Sequence, residues 1–342
     1  MHLLVIRTSA MGDVALVTPA LRGMKSQYPH VRITMVTRSP FDQFFHSIGD
    51  LDLFIADFGG RHKGVAGLLR LFSDLKNTGR IDRVIDLHDV VRSKLLRFLF
   101  FLAGVPSTVI DKGRPEKRKI TAGRIKVKLR HSGERYMDVF ERAGYSLKYV
   151  EGPWIIPSIE AQKRISSIIT ESGVLHIGVA PYAMHALKAW PEEYMIRLLK
   201  MISDRTKARF WLFGGREESE RLKAFEKKIE GAVVVAGTLT LGEELALMSR
   251  LDLMIAMDSS NMHMAALAGT NVVSIWGATD PVTGFGAWQQ PEEFSIRIPF
   301  EELECRPCTV YGKGKCRRMD FACMNRMTPE KVFEKLVSLN LL

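Results

Sequence analysis

The chain has 342 residues, 46% of them hydrophobic, and a formal net charge of +11. That length supports two substantial cores better than one, and no run of 18 apolar residues occurs, so no segment reads as a membrane span. The positive charge favours an anionic partner, whether nucleotide, nucleic acid or phospholipid surface, and does not choose among them.

The apolar run at the start is only four residues long before Arg7; it reads as a strand over residues 3–7, not a secretory signal, and a cytoplasmic location is expected. Residues 8–13 form the following loop, and a helix is expected from Val14, with Leu16, Ala20, Leu21 and Met24 on one face. Strands follow over residues 31–37, 53–56 and 84–87, with a helix start near residues 41–45 and a helical segment around residues 92–102. This alternation argues for a parallel sheet covered by helices on both faces. The apolar stretch 95–105 is too short to span a bilayer and contains Arg97.

Residues 112–130 hold nine Lys or Arg against one Glu. They read as a solvated loop with a candidate strand at 125–129; the functional alternative is a contact for the phosphates of a membrane-bound or polyanionic substrate. Residues 151–157, with a proline near each end, form the linker candidate. Beyond it a five-stranded α/β pattern restarts, with strands over 175–180, 209–213, 233–236, 253–257 and 272–276 and helices beginning near Pro191, Glu217 and Leu241. Thr328-Pro329-Glu330 is a start signal for a terminal helix.

The stretch 251–281 organises the second half. It reads strand, loop, short helix, strand, and Asp258-Ser259-Ser260-Asn261 are all good helix N-caps. A loop at the carboxyl end of a parallel strand, leading into a helix N-terminus, is where α/β sheets hold anionic ligands. The plain alternative is an ordinary capped helix. No Gly-x-Gly-x-x-Gly follows the first strand and no Walker A sequence is present, which excludes the usual phosphate fingerprints. Asp50-Leu51-Asp52 has the letters of a metal-binding carboxylate pair but reads as a turn. Cys305, Cys308, Cys316 and Cys323 lie close together; a structural zinc site, reduced packing thiols and partial oxidation all remain open.

TSAMGDV, Lys188-Ala189-Trp190-Pro191, Phe213-Gly214-Gly215 and DSSNMHMAALAG followed by WGATDP occur in that order. Together they resemble the ADP-heptose:lipopolysaccharide heptosyltransferase family, glycosyltransferase family 9, over nearly the whole chain. The resemblance implies a GT-B fold: two Rossmann-like α/β domains facing each other across a cleft. The expected boundaries are 1–152 for an acceptor-binding domain, 153–327 for a nucleotide-sugar-binding domain, and 328–342 for a C-terminal helix packing back on the N-terminal domain. It further implies an inverting, metal-independent transfer from ADP-heptose to the lipopolysaccharide inner core (a lipid A–Kdo acceptor), with no cofactor beyond the nucleotide-sugar. The enzyme would then be cytoplasmic and peripheral on the anionic inner face of the inner membrane. The catalytic base falls on Asp13 and the donor phosphates on Lys188. The donor cradle falls on Gly214, Gly215, Asp258, Ser259, Ser260 and His263. Arg7 and Arg61 are the acceptor candidates. The sequence departs from the family pattern at Ser260, where glycine is usual, and at Pro181-Tyr182-Ala183, which brings an aromatic ring toward the donor site.

For Asp13 the plain alternative is an N-cap of the helix from Val14; for Lys188, a surface lysine; for His263, a buried structural histidine. Other functions remain as alternatives. One is a GT-B nucleotide-sugar epimerase, another a family member using a different nucleotide-sugar. A basic nucleic-acid binder is the third, and residues 112–130 lack the interleaved aromatics that role needs.

Overall fold

The structure, a computed structural model, describes all residues from Met1 to Leu342. The chain forms two compact units: Met1–Lys112 with Ser132–Ser158, and Gly113–His131 with Ile159–Leu342.

In chain order the first unit contains β1 (His2–Ile6), α1 (Met11–Ala15), α2 (Thr18–Gln27), β2 (Arg32–Thr37), β3 (Leu51–Ile55), α3 (Gly64–Lys76), β4 (Arg83–Asp86), α4 (Val91–Leu102) and β5 (Ser107–Val109). After α5 (Arg114–Thr121), which belongs to the second unit, α6 (Ser132–Arg142) returns to the first. The sheet order is β3-β2-β1-β4-β5, with every pairing parallel. Central β1 is buried along its length, as expected of a continuous apolar run with helices over both faces. One face carries Leu68, Leu71 and Leu75 of α3 and Leu96 and Phe100 of α4 against Leu4, Ile6 and Val84. Sequence reading misses β5, whose three residues are too few for alternation to register, and it misses α3 and α6. Asp52, expected in a turn, lies in β3 and pairs with Arg32 of the neighbouring strand at 2.7 Å.

The second unit continues with α7 (Ile159–Ser166), β6 (Leu175–Ala180), α8 (Glu192–Arg205), β7 (Ala208–Leu212), α9 (Ser219–Glu226), β8 (Ala232–Val234), α10 (Leu241–Met248), β9 (Leu253–Met257), α11 (Ser260–Leu267), β10 (Val272–Ile275), β11 (Ser295–Ile296), α12 (Ala322–Asn325) and α13 (Pro329–Ser338). Its parallel sheet runs β11-β10-β9-β6-β7-β8. The five expected strands are present, and β11 adds a sixth at the edge. Local chemistry fixes the helix starts. Thr240 and Glu243 close a reciprocal capping box on α10, and the Thr328 hydroxyl accepts from the Lys331 N–H at the start of α13. Gly269, at φ +97°, ends the α11 segment in the left-handed conformation that glycine allows.

Two expectations are corrected. The basic segment is a helix where a loop was expected, and no strand forms at 125–129. Pro115 opens α5, while Ile120 and the stem of Lys117 are buried. Although it falls within the expected domain 1–152, this segment belongs to the second unit. The Leu129 N–H donates to Val282 O at 2.8 Å, the His131 ring bonds Gly286 O at 2.8 Å, and Lys128 pairs with Glu292 at 3.0 Å. Lys117 also lies over the Phe285 ring. The terminal helix α13 packs on α8 in the second unit, where packing back on the N-terminal domain was expected. Val332 and Leu336 join the core that contains Leu198, Leu199 and Ile202, and Arg197 pairs with Glu330 at 2.6 Å, so the apolar face of α13 is satisfied locally.

Candidate active site

In the first unit, the carboxyl ends of β1 and β4 gather a polar cluster. Asp13 lies inside the first turn of α1 and caps nothing: Ala10 is the N-cap position, and no side chain bonds there. The Asp13 carboxylate turns to Arg7 instead, with Nη2 and Oδ2 2.7 Å apart. Arg7 is buried; its Nη1 donates to Leu87 O at 2.6 Å, and its guanidinium lies 5.7 Å from the centroid of the Tyr136 ring. The Tyr136 hydroxyl donates to the main-chain carbonyl of Asp13 at 3.1 Å. Asp13 is therefore held from two directions, yet its side chain keeps 29% of its exposure and Oδ1 has no protein partner. A carboxylate in this state can accept a proton from a hydroxyl brought to it.

Beside it, the His88 ring bonds Thr8 Oγ1 at 3.2 Å and Ser9 Oγ at 3.1 Å. Burial, reinforced by Arg7 and Lys112, pushes His88 down to about 3, so the ring is neutral near pH 7. Below it, buried Asp86 accepts from the His88 and Asp89 N–H groups at 2.8 and 2.9 Å and pairs with Arg97 at 2.9 Å. Arg61 is placed elsewhere: its fork makes two 2.8 Å bonds to the Asp74 carboxylate on α3. Neither acceptor candidate offers an uncommitted guanidinium, since Arg7 is occupied by Asp13 and Leu87 and Arg61 by Asp74.

The second unit builds its site at the carboxyl end of β9. Asp258 directly follows that strand and is buried, and Lys188 reaches it with Nζ 2.8 Å from Oδ2. The lysine side chain is only 17% exposed, which rules out a plain surface role. Ser259 is the N-cap residue of α11 but makes no side-chain cap bond, and its buried Oγ has no partner. The first-turn N–H groups of α11 thus have no side-chain acceptor, beside a lysine, in the arrangement that suits an anion. Ser260 opens the helix and His263 is buried within it. Gly214 and Gly215 have a local explanation. A Cβ on Gly214 would stand 2.8 Å from Glu218 Oε2, and that carboxylate caps the turn by accepting from the Gly215 N–H at 2.7 Å. Tyr182 is buried in the core, donates to Glu192 at 2.9 Å and stacks under Arg221, so its ring is drawn inward.

Sequence reading misses the element that walls this site. The cysteine-bearing segment packs onto the loop after β10: the Cys308 and Thr309 N–H groups donate to Ala278 O, and Gly312 passes so close to Lys188 that a Cβ there would meet its Cγ at 2.7 Å. Arg306 is fully buried and donates to the carbonyls of Trp276, Gly277, Thr279 and Ile298 and to the Asp280 carboxylate. No periodicity marks such a residue; the sole clue was an arginine between two cysteines. All four cysteines are free, and no three His, Cys, Asp or Glu side chains are placed to hold a metal ion. The thiols serve as packing groups against the second core, and burial with neighbouring thiols pushes Cys308 up to about 11.

The model of glycosyltransferase family 9 (heptosyltransferase) matches residues 68–313. Lipopolysaccharide heptosyltransferase 1 of Escherichia coli K12 is 23% identical over 318 residues, covering 89% of this chain and 95% of that protein. A glycosyl transferase family 9 structure from Veillonella parvula superposes with a TM-score of 0.77 at 22% identity, covering 99% of this chain and 97% of that one. An Escherichia coli heptosyltransferase solved with ADP-2-deoxy-2-fluoro heptose gives a TM-score of 0.68 at 19% identity, covering 99% and 100%.

Proposed function

Since the chain belongs to glycosyltransferase family 9, the heptosyltransferases, we propose that it transfers a heptose from ADP-heptose to the inner core of lipopolysaccharide, with inversion and without a metal ion. The observation that carries this reading is the N-terminus of α11, which lacks a side-chain cap and is flanked by Lys188 on Asp258. A departing diphosphate needs positive charge already in place. Lys188 and the helix N–H groups supply it, so a divalent cation is not needed for that step. Asp13, oriented by Arg7, takes the proton of the acceptor hydroxyl as the new glycosidic bond forms. Asp258 holds the Lys188 ammonium at the N-terminus of α11, where the donor phosphates bind. The ligand in the Escherichia coli structure supports an ADP-linked donor.

The acceptor class brings an anionic membrane surface as partner, approached from the cytoplasmic side. Supporting this, α4 exposes Val91, Phe98, Phe101 and Leu102 alongside Arg92 and Lys94, and contains no acidic residue. An apolar ridge with basic neighbours suits the boundary between headgroups and acyl chains.

The test is a panel of ADP-, GDP- and UDP-sugars offered with a lipid A–Kdo acceptor, scored for free nucleotide and a lengthened glycan, with and without EDTA. Release of ADP together with an added heptose, unchanged by EDTA, is expected. Turnover that EDTA abolishes and magnesium restores would refute metal independence, and isomerised donor with no acceptor product would indicate an epimerase.

A further inference from the structure

The loop after β1 leads into α1, a helix of five residues whose N-cap, Ala10, makes no side-chain bond. A helix so short does not fix its own position, because nucleation costs more than its few hydrogen bonds return. Asp13 stands in that helix, so its place is set by contacts from elsewhere. Tyr136 holds the Asp13 carbonyl, and the end of β4 holds the residues leading in. Leu87 O accepts from Arg7 Nη1 at 2.6 Å. His88, the next residue, bonds Thr8 Oγ1 through Nδ1 at 3.2 Å and Ser9 Oγ through Nε2 at 3.1 Å. One tie therefore reaches Asp13 through its ion partner, and the other pins the main chain just ahead of α1.

His88 is itself fixed. It is buried, its N–H donates to Asp86 Oδ1 at 2.8 Å, and the same oxygen accepts from the Asp89 N–H at 2.9 Å. Those bonds support Asp89 at φ +43°, a left-handed backbone uncommon outside glycine. Asp86 is fully buried and pairs with Arg97 of α4 at 2.9 Å. The His88 ring is neutral near pH 7, so one nitrogen donates to a hydroxyl, the other accepts from one, and the ring adds no charge beside Asp13. We propose that His88 is a positioning residue for the base: through Thr8 and Ser9 it holds the entry of α1, keeping Asp13 Oδ1 where the acceptor hydroxyl arrives. This role rests on the reading of Asp13 as base, and it places control of that base in a side chain that acts on it only through the loop.

The test uses His88→Leu, which removes both bonds, and His88→Gln, whose amide can still reach Ser9. Thr8→Val with Ser9→Ala removes the same two bonds from the loop side, leaves the ring in place, and carries both readouts if His88→Leu does not fold. Amide hydrogen exchange of residues 8–14 should quicken in His88→Leu and in the loop double variant, return toward wild type in His88→Gln, and stay unchanged in the second unit. With ADP-heptose and a lipid A–Kdo acceptor, kcat should fall roughly 10- to 100-fold in the first and third of these proteins while the ADP-heptose KM stays within about twofold. Combined with Asp13→Asn, the same substitutions should change kcat by less than about twofold, since there is then no base to misplace. Unchanged exchange at residues 8–14, or an equal loss of rate with and without Asp13→Asn, overturns the positioning role. A wild type that transfers no heptose would defeat the proposed reaction instead, and the exchange arm alone would still decide whether His88 holds the loop.

Discussion

Asp13 shows how one side chain can pass for two. An aspartate just before an expected helix is ordinarily a cap, but here the carboxylate bonds Arg7 and α1 begins two residues earlier. Asp13→Asn retains the volume and removes the proton acceptor. Turnover should then fall by about 100- to 10,000-fold while ADP affinity and melting temperature stay near wild type; a near-normal rate would end the assignment of Asp13 as base. Beside it, His88 makes a forecast about pH. Its folded pKa of about 3 lies below the ordinary 6.5, so between those values the unfolded chain binds a proton that the folded chain does not. Stability is therefore complete above pH 6.5 and is lost as pH falls, by at most about 1.4 kcal/mol per pH unit from this group. His88→Gln keeps a hydrogen-bonding side chain and should flatten the acid limb of the stability profile. If chemical denaturation between pH 4 and 7 shows the same slope in both proteins, the burial argument fails. Glu244 acts in the opposite sense. Burial pushes its carboxyl up to about 8 from 4.5, so its contribution is present at low pH and declines as pH rises through that window. Glu244→Gln should stabilise the protein at pH 8 and leave it unchanged at pH 4, a difference that paired urea titrations would detect.

At the scale of elements, the site of the second unit depends on what lies against it. α11 is a short helix with a weak amphipathic pattern, and it owes its position to β9 and β10 on either side of it in sequence. The loop after β10 is shaped by Arg306. Burial raises the Asp280 pKa and lowers that of Arg306, each against the pull of its partner's charge. Removing the two partners is therefore not symmetric. Arg306→Met leaves buried Asp280 with only the more distant Arg297, at 3.5 Å, and frees four carbonyls, and should cost about 3–5 kcal/mol. Asp280→Asn leaves the guanidinium with those four carbonyls and should cost clearly less. Equal losses in urea denaturation would show that the carboxylate, not the carbonyl set, anchors the loop. Gly312 offers a milder test, because Gly312→Ala at φ +78° must both strain the backbone and push the Lys188 stem. ADP affinity should weaken even if the protein remains folded.

For the molecule as a whole, ligand linkage and surface chemistry supply the predictions. A nucleotide that binds only folded protein stabilises it by about 2.7 kcal/mol at 100 times its Kd. ADP should therefore raise the melting temperature of the wild type clearly and that of Lys188→Ala less; no shift in the wild type would remove the donor assignment. The exposed aromatic ridge of α4 predicts binding to anionic vesicles that weakens as salt rises, since exposed charges are screened over about 8 Å at physiological ionic strength. Phe98→Ser with Phe101→Ser should reduce that binding without lowering stability, because both side chains are already exposed. Equal binding to neutral vesicles, or an unaltered double variant, would count against a membrane-facing role for α4.

The sequence by itself determined the repeated parallel α/β architecture, the strand–helix–strand frame of the second site, and the order of motifs that marks the family. These are local properties: apolar runs of strand length, capping residues and short turns act over a few neighbours and leave their pattern in the chain. It also pointed to Asp13, Lys188 and Asp258, through the resemblance of the motifs that hold them to those of the family. Only the tertiary structure decided which partner each of them takes. Arg7 meets Asp13 across six residues, but Leu87, which fixes Arg7, is 80 residues away, and Lys188 meets Asp258 across 70. The same holds for the basic segment that folds as α5 on the second unit, for α13 on α8, and for Arg306 reaching the carbonyls of Trp276, Gly277 and Thr279, 27 to 30 residues away. Such contacts depend on packing and on satisfying buried polar groups between segments far apart in sequence, and neither periodicity nor charge count carries that information.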